Sequence, residues 1–243
     1  MASLFRDWHE SYAASADPKI RGSADEMVFD GFYPFYFSQP LRILFIGRES
    51  RGIKGCNYLE VLHDAYSNSK TIGDRSLNFD AFHSRKLSIA WGLLNGMPAW
   101  PDIPYATEIG DTFATSSGIS FAFMNLSKLS NEGDRWQSDW ATIGASQGAS
   151  TRGRNFIREQ VSLLAPNIII AMNLKERLGS LGTLEVIEHT PDVNSYWLDS
   201  DGHRSLLLDT WHFALPGKNS ITWFYEPICE AARRSGILPA ATP

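Results

Sequence analysis

A chain of 243 residues, 43% hydrophobic and 12% aromatic, carries enough apolar mass for one large folded core. Its formal charge of −5 and pI near 5.7 exclude a global basic field drawing it to nucleic acid or an anionic membrane, so any such contact needs a local basic patch. Two cysteines far apart, Cys56 and Cys229, exclude a disulfide framework, an iron–sulfur cluster and a cysteine-based zinc site, and no apolar run reaches the roughly 18 residues that a membrane span needs.

The opening MASLFRDWHESYAAS is charged throughout and has no apolar stretch of signal-peptide length, so a reducing cytoplasm is the expected compartment. Residues 3–16 read as a helix that ends before Pro18. MVFDGFYPFYF (27–37) is aromatic but broken by Gly31 and Pro34, and reads as a lead-in loop packed on the core, with 1–40 as a whole forming that lead-in. LRILFIG (41–47), bounded by Pro40 and Gly47, is a buried first strand. YLEVLHDAY (58–66) and FHSRKLSIAWGLLNG (82–96) read as helices, the second closed by Gly96 and Pro98.

GISFAFMN (118–125) is the second strand, and GASQGASTRG (144–153) reads as a surface loop. In RNFIREQVSLLA (154–165), Ile157, Val161 and Leu164 share a helical face before Pro166. NIIIAMN (167–173) is the third strand, Leu184–Val193 and Tyr196–Leu198 offer short additions, and RSLLLDTWHF (204–213) is the fourth. ITWFYEPICEAARRSG (221–236) is a terminal helix. Strands apolar on both faces, alternating with helices, predict a three-layer α/β/α domain spanning 1–243 around a mainly parallel, four-stranded sheet.

Ligands of open α/β sheets bind beyond the carboxyl ends of the strands. Each strong strand delivers polar residues there: Arg48, Glu49 and Ser50; then Asn125, Ser127 and Lys128; then Asn173; then Asp209 and His212. Neither a Walker pattern nor G-x-G-x-x-G accompanies them.

Taken in order, the blocks GRESR (47–51), FMNLS (123–127), LLAPNIIIAMN (163–173) and HFALP (212–216) resemble the uracil-DNA glycosylase superfamily over roughly residues 41–236. That family places a glycine and an Asn or acidic residue after its first strand (GQDPY, GMNPG or GEAPG), an Asn after its second, and HPSP after a late one. The resemblance implies excision of uracil or a related damaged base from DNA. Glu49 would stand at the water-activating position, Asn125 would read the flipped base, and His212 would hydrogen-bond the departing base. Gly47, Arg48 and Ser50 would complete the first motif. Such chemistry wants a carboxylate for the sugar cation and a donor for the base anion. It also wants an amide able to pair with a pyrimidine edge once the nucleotide has left the stack. Tyr58 is the candidate stacking aromatic. In the loop after His212, Leu215 is the candidate wedge and Lys218 the candidate phosphate contact.

Two departures stand out: Ser50 and Arg51 replace the Pro and Tyr of GQDPY, and HFAL replaces HPSP. The expected sheet order is second, first, third, fourth strand, with the first central. DNA or a nucleotide is the expected partner, with no cofactor, metal or membrane, and a monomer is expected.

Two other functions fit parts of the pattern. An SGNH-type serine hydrolase would use Ser50, His212 and Asp209 as its triad and Asn125 as oxyanion donor, with DTWH (209–212) supplying D-x-x-H. A non-catalytic nucleic-acid- or nucleotide-binding protein would rely on the loop cations Arg51, Lys54, Lys128, Arg152, Arg154 and Lys218.

Overall fold

The computed structural model of the chain describes residues 1–15, 17–20, 22–133, 137–151 and 153–237. Helix α1 (Ala2–Ala13) buries Leu4, Phe5, Trp8 and Tyr12, one face at helical spacing. The two-residue strand β1 (Gly31–Phe32) precedes the wholly buried β2 (Ile43–Gly47). Helix α2 (Tyr58–Asp64) starts at Asn57, whose side chain accepts from the Leu59 amide at 3.1 Å, and runs into a π-helical turn at Ala65–Ser69. A small hairpin, β3 (Thr71–Ile72) and β4 (Arg75–Ser76), leads to α3 (Ala81–Leu94), capped by Asp80 through the His83 amide. Next come α4 (Ala106–Thr112), β5 (Ala122–Asn125), α5 (Trp140–Thr151), α6 (Phe156–Leu164) and β6 (Ile168–Met172). The chain continues through β7 (Thr183–His189), β8 (Val193–Ser200), β9 (His203–Thr210), a π-helical turn at Ile221–Tyr225 and α7 (Glu226–Arg234).

Strands β5, β2, β6 and β9 lie side by side and parallel, which is the second–first–third–fourth order expected from the sequence. The sheet itself has seven strands, not four: β1-β5-β2-β6-β9-β8-β7. β1 pairs antiparallel with β5 at one edge, and β8 and β7 extend β9 antiparallel at the other. The sequence offers β7 and β8 as the short additions Leu184–Val193 and Tyr196–Leu198, with other bounds, but not β1. β1 is two residues long, and β7 is a polar edge strand, mostly exposed, with a register shift between Val186 and Glu188.

Alternation along the central strands separates two apolar layers. Ile43 and Phe45 of β2 face α2, α3, α4 and α7, while Leu44 and Ile46 face α1, α5 and α6. Gly92 lets α3 accept the ring of Tyr225, since a Cβ there would stand 2.4 Å from that ring.

Two segments depart from the sequence expectation. Residues 144–151, expected as loop, form most of α5. Its buried Thr142, Ile143, Ala145, Ser146 and Ala149 repeat at helical spacing, but small side chains in a Gly- and Ser-rich stretch imitate a loop. Asp139 starts that helix by accepting from the Thr142 amide at 3.1 Å and the Thr142 hydroxyl at 2.8 Å. α4 was not expected at all; the Glu108 carboxylate closes it on the Tyr105 amide at 2.7 Å. Among the described residues no helix is long and apolar enough to cross a membrane.

Candidate functional site

The four parallel strands end at one edge of the sheet, with Gly47 beside Asn125 and Met172 beside Thr210. Glu49, Asn125 and His212 therefore share that carboxyl edge, Asn125 and His212 being separated by the widths of β2 and β6. Gly47 is required there by contact. A Cβ on it would stand 2.4 Å from Asn125 Oδ1 and 3.3 Å from the tip of Phe123, so only glycine lets the Asn125 side chain lie across the end of β2.

The Asn125 backbone is held from beneath. Its N–H donates to Asp30 Oδ2 at 2.8 Å, and its carbonyl accepts from Lys128 Nζ at 2.8 Å. Asp30 also receives Lys128 on both oxygens at 2.8 Å and Gln160 Nε2 at 2.7 Å. All four residues are buried, so Lys128 is not the loop cation expected from its position but half of a buried ion pair. Among the described residues the Asn125 side-chain amide makes no hydrogen bond. Its backbone is fixed while its donors and acceptor remain available to a ligand.

Glu49 is half-buried and accepts from Asn131 Nδ2 at 3.2 Å. Burial raises its pKa above the usual carboxylate range; Asn131, Ser138, Arg48 and the Asp139 backbone oppose that rise. It opens into a cleft of about 310 Å3 bounded by the Ser127–Gly133 loop and the start of α5. Asn125 and His212 do not line that cleft. A half-buried carboxyl of raised pKa in a cleft suits proton transfer.

His212 lies two residues past β9. The Ala214 amide donates to its Nδ1 at 3.3 Å, and its ring stacks on Phe82 with centroids 5.6 Å apart. Burial, and then the charge of Arg48, lowers its pKa to about 4. Phe82, from the first turn of α3, also meets Phe123 edge-on at 6.3 Å and so joins the His212 and Asn125 sides of the edge. One turn on, Lys86 is fully buried with Nζ 4.4 Å from the Phe82 centroid and 4.3 Å from that of Phe123, and without a hydrogen-bond partner. Burial pushes its pKa down to about 7, with Asp80 opposing. Phe82 and Lys86 were not singled out from the sequence. The available signal was a charged residue set inside the apolar run of α3, four residues after an aromatic.

Arg48 bridges two strand ends, donating to Ser138 Oγ at 3.2 Å and to the Asn173 carbonyl at 3.2 Å. Tyr58, the candidate stacking ring, is instead buried against Phe123 at 5.4 Å in the core. Phe82 is the better placed aromatic. The hydrolase triad is not assembled: Asp209 is taken by the amides of Leu174 and Lys175 at 2.9 and 3.0 Å, and His212 Nδ1 by Ala214. Ser50 is buried with its hydroxyl unpartnered.

In the loop after His212, Leu215 is half-buried and its amide donates to the His212 carbonyl at 2.9 Å. Arg85 holds this loop from α3 through the carbonyls of Phe213 and Lys218 and through Ser220 Oγ. Lys218 Nζ rests over the rings of Trp223 and Trp211, at 3.0 and 4.1 Å from their centroids. Of the other expected loop cations, Lys54 pairs with Glu26, Arg154 pairs with Asp7 and Glu159, and Arg51 donates to the Gly133 carbonyl. Arg152 lies outside the described residues.

Compared with protein-family models, curated proteins and solved structures, the chain gives no match.

Proposed function

We propose that this chain is a DNA N-glycosylase of the uracil-DNA glycosylase type, acting on a nucleotide flipped out of the helix. The observation that carries the reading is the convergence, on one carboxyl edge, of a cleft carboxyl (Glu49), an uncommitted amide (Asn125) and a neutral imidazole (His212). In this reading the Asn125 amide pairs with the base edge, and Phe82 supplies an aromatic face beside His212. As the glycosidic bond breaks, its electron pair leaves with the base nitrogen. The Nε2–H of His212 donates toward the base oxygen that gathers this charge. Glu49 faces the cationic sugar and takes a proton from the water whose oxygen adds to C1′.

Glu49 opens into a cleft that Asn125 and His212 do not line, which favours a second reading: a protein that binds a nucleotide at this edge without cleaving it. One assay separates them. Oligonucleotides carrying uracil or another base lesion are incubated with the protein, and abasic sites are then cut with alkali. Strand cleavage that depends on Glu49 supports the glycosylase. Tight binding with no cleavage across the lesion panel supports the binding protein and removes the enzyme reading.

A further inference from the structure

Trp140 opens α5 and is 39% exposed, yet two guanidinium groups lie against its ring: Arg48 at 4.7 Å and Arg177 at 4.6 Å from the centroid. The three come from different elements: the end of β2, the start of α5, and the 3-10 turn Lys175–Ser180 that follows β6. Their meeting is a product of the fold that no sequence motif announces.

Neither cation forms a close ion pair, and Arg48 feels only the more distant charges of Glu49 and Asp209. Elsewhere in this net-anionic chain, four surface arginines carry carboxylate partners: Arg154 has Asp7 and Glu159, Arg158 has Asp201, Arg204 has Glu185, and Arg234 has Glu188. Among the described residues neither Arg48 nor Arg177 has a carboxylate within ion-pair distance. The Nε–H of each is buried with no hydrogen-bond partner. Arg48 has committed its two other nitrogens to Ser138 and Asn173, which fixes its plane, whereas the Arg177 side chain makes no hydrogen bond among the described residues. Stacking on the indole holds each guanidinium in place without neutralising it.

Two guanidinium groups held against one ring without a close ion pair are what a phosphate ester needs, because a guanidinium meets phosphate oxygens with parallel N–H donors. We infer that Arg48, Arg177 and Trp140 form a phosphate clamp that takes the backbone of a nucleic-acid strand next to the Glu49 cleft. Arg48 is anchored, Trp140 sets the spacing, and Arg177 supplies the free donors. The choice of a strand backbone as the source of that phosphate rests on the glycosylase reading; the clamp itself does not.

The test is fluorescence anisotropy with an unmodified, labelled oligonucleotide over a salt series, using wild type, Arg177→Ala and Arg177→Lys, with pyrophosphate titrated calorimetrically in parallel. The Arg177 side chain makes no hydrogen bond among the described residues, so Arg177→Ala should melt close to wild type. The clamp requires that Arg177→Ala bind the oligonucleotide about tenfold more weakly, with the slope of log K against log salt reduced by roughly one. Arg177→Lys should keep the slope and lose part of the affinity. Equal oligonucleotide affinity and slope in wild type and Arg177→Ala would overturn the clamp, and would leave the glycosylase reading to stand or fall on base release. Pyrophosphate binding that needs Arg177, without oligonucleotide binding, would overturn the assignment to a strand backbone.

Discussion

The backbone N–H of Ala214 donates to Nδ1 of His212 across 3.3 Å, which leaves the single proton of a neutral imidazole on Nε2. Burial and the charge of Arg48 hold the ring's pKa near 4, so this tautomer should persist across the physiological range. Imidazole 15N shifts should report a neutral, Nε2-protonated ring at pH 6. An imidazolium signal at that pH would remove His212 as the neutral donor. His212→Ala should reduce single-turnover base release by on the order of 100-fold, the usual loss for a preorganised donor to a developing anion.

Glu49 makes two opposite predictions for stability and activity. Its folded pKa is raised, so the ionised form is the one burial disfavours. The stability penalty is present above the folded pKa and is relieved as pH falls through it. Glu49→Gln should therefore melt at a higher temperature than wild type at pH 7. The same substitution should lower base release on the order of 100-fold while leaving substrate affinity almost unchanged, because the carboxylate acts on charge that develops in the transition state. Wild-type activity should fall on the acid side as Glu49 gains its proton. A variant that is both less stable and fully active would contradict both halves.

Lys86 offers a stability test that is independent of catalysis. Its amine is fully buried between Phe82 and Phe123, with Tyr66 and His83 also near, Asp80 the opposing charge, and a pKa down from 10.5 to about 7. Between these two values the unfolded chain binds the proton that the folded chain gives up. Stability should therefore rise with pH from about 7 toward 10, by on the order of 4 kcal/mol if this group alone contributes. Lys86→Met should flatten that rise and stabilise the protein at pH 7. Denaturant titrations at several pH values measure it directly, and a wild-type stability that falls over this range would refute it.

Asp30 should be the most costly of the buried polar residues to change. It receives the Lys128 ammonium, the Gln160 amide and the Asn125 backbone N–H at once. Asp30→Ala strands a buried lysine and should cost on the order of 3–5 kcal/mol in chemical denaturation. Gln160→Ala removes one donor and should cost about 1–3 kcal/mol. A cost below 1 kcal/mol for Asp30→Ala would mean that the network does not hold Asn125.

How much of this was legible in the sequence depends on the range of the contacts. The four central strands declared themselves as apolar runs, and their polar ends gave Glu49, Asn125 and His212, because a strand and the residue after it are local facts. Edge strand β1 was lost because it is too short to show a period, whereas β7 and β8 were offered as short strands with other bounds. Helix α5 was lost because small residues pack well yet look like loop. Phe82, Lys86, Trp140, Arg177 and Asp30 were missed for another reason. Each owes its place to a partner far away in sequence: Phe82 to His212, Arg177 to Trp140, Asp30 to Lys128. Tyr58 shows the converse, a plausible stacking ring by position that the fold spends on its core.

The loop after His212 carries the last prediction. Leu215 is half-buried and lies outside both main apolar clusters, and Arg85 grips the loop on either side of it through the carbonyls of Phe213 and Lys218. A leucine presented on a braced turn can fill the gap that a flipped nucleotide leaves in a duplex, whereas a single strand has no gap to fill. Leu215→Ala should therefore spare base release from single-stranded substrate and slow it on duplex by about tenfold, with little change in melting temperature. Lys218 separates a contact from a brace. Its ammonium now lies over Trp211 and Trp223, so it must leave those rings to meet a phosphate. If it does, Lys218→Ala should lower the salt slope of duplex binding by roughly one. If it stays, Lys218→Ala should leave the slope unchanged and lower the melting temperature instead. Equal losses on single-stranded and duplex substrate in Leu215→Ala would assign Leu215 to packing and end its role as a wedge.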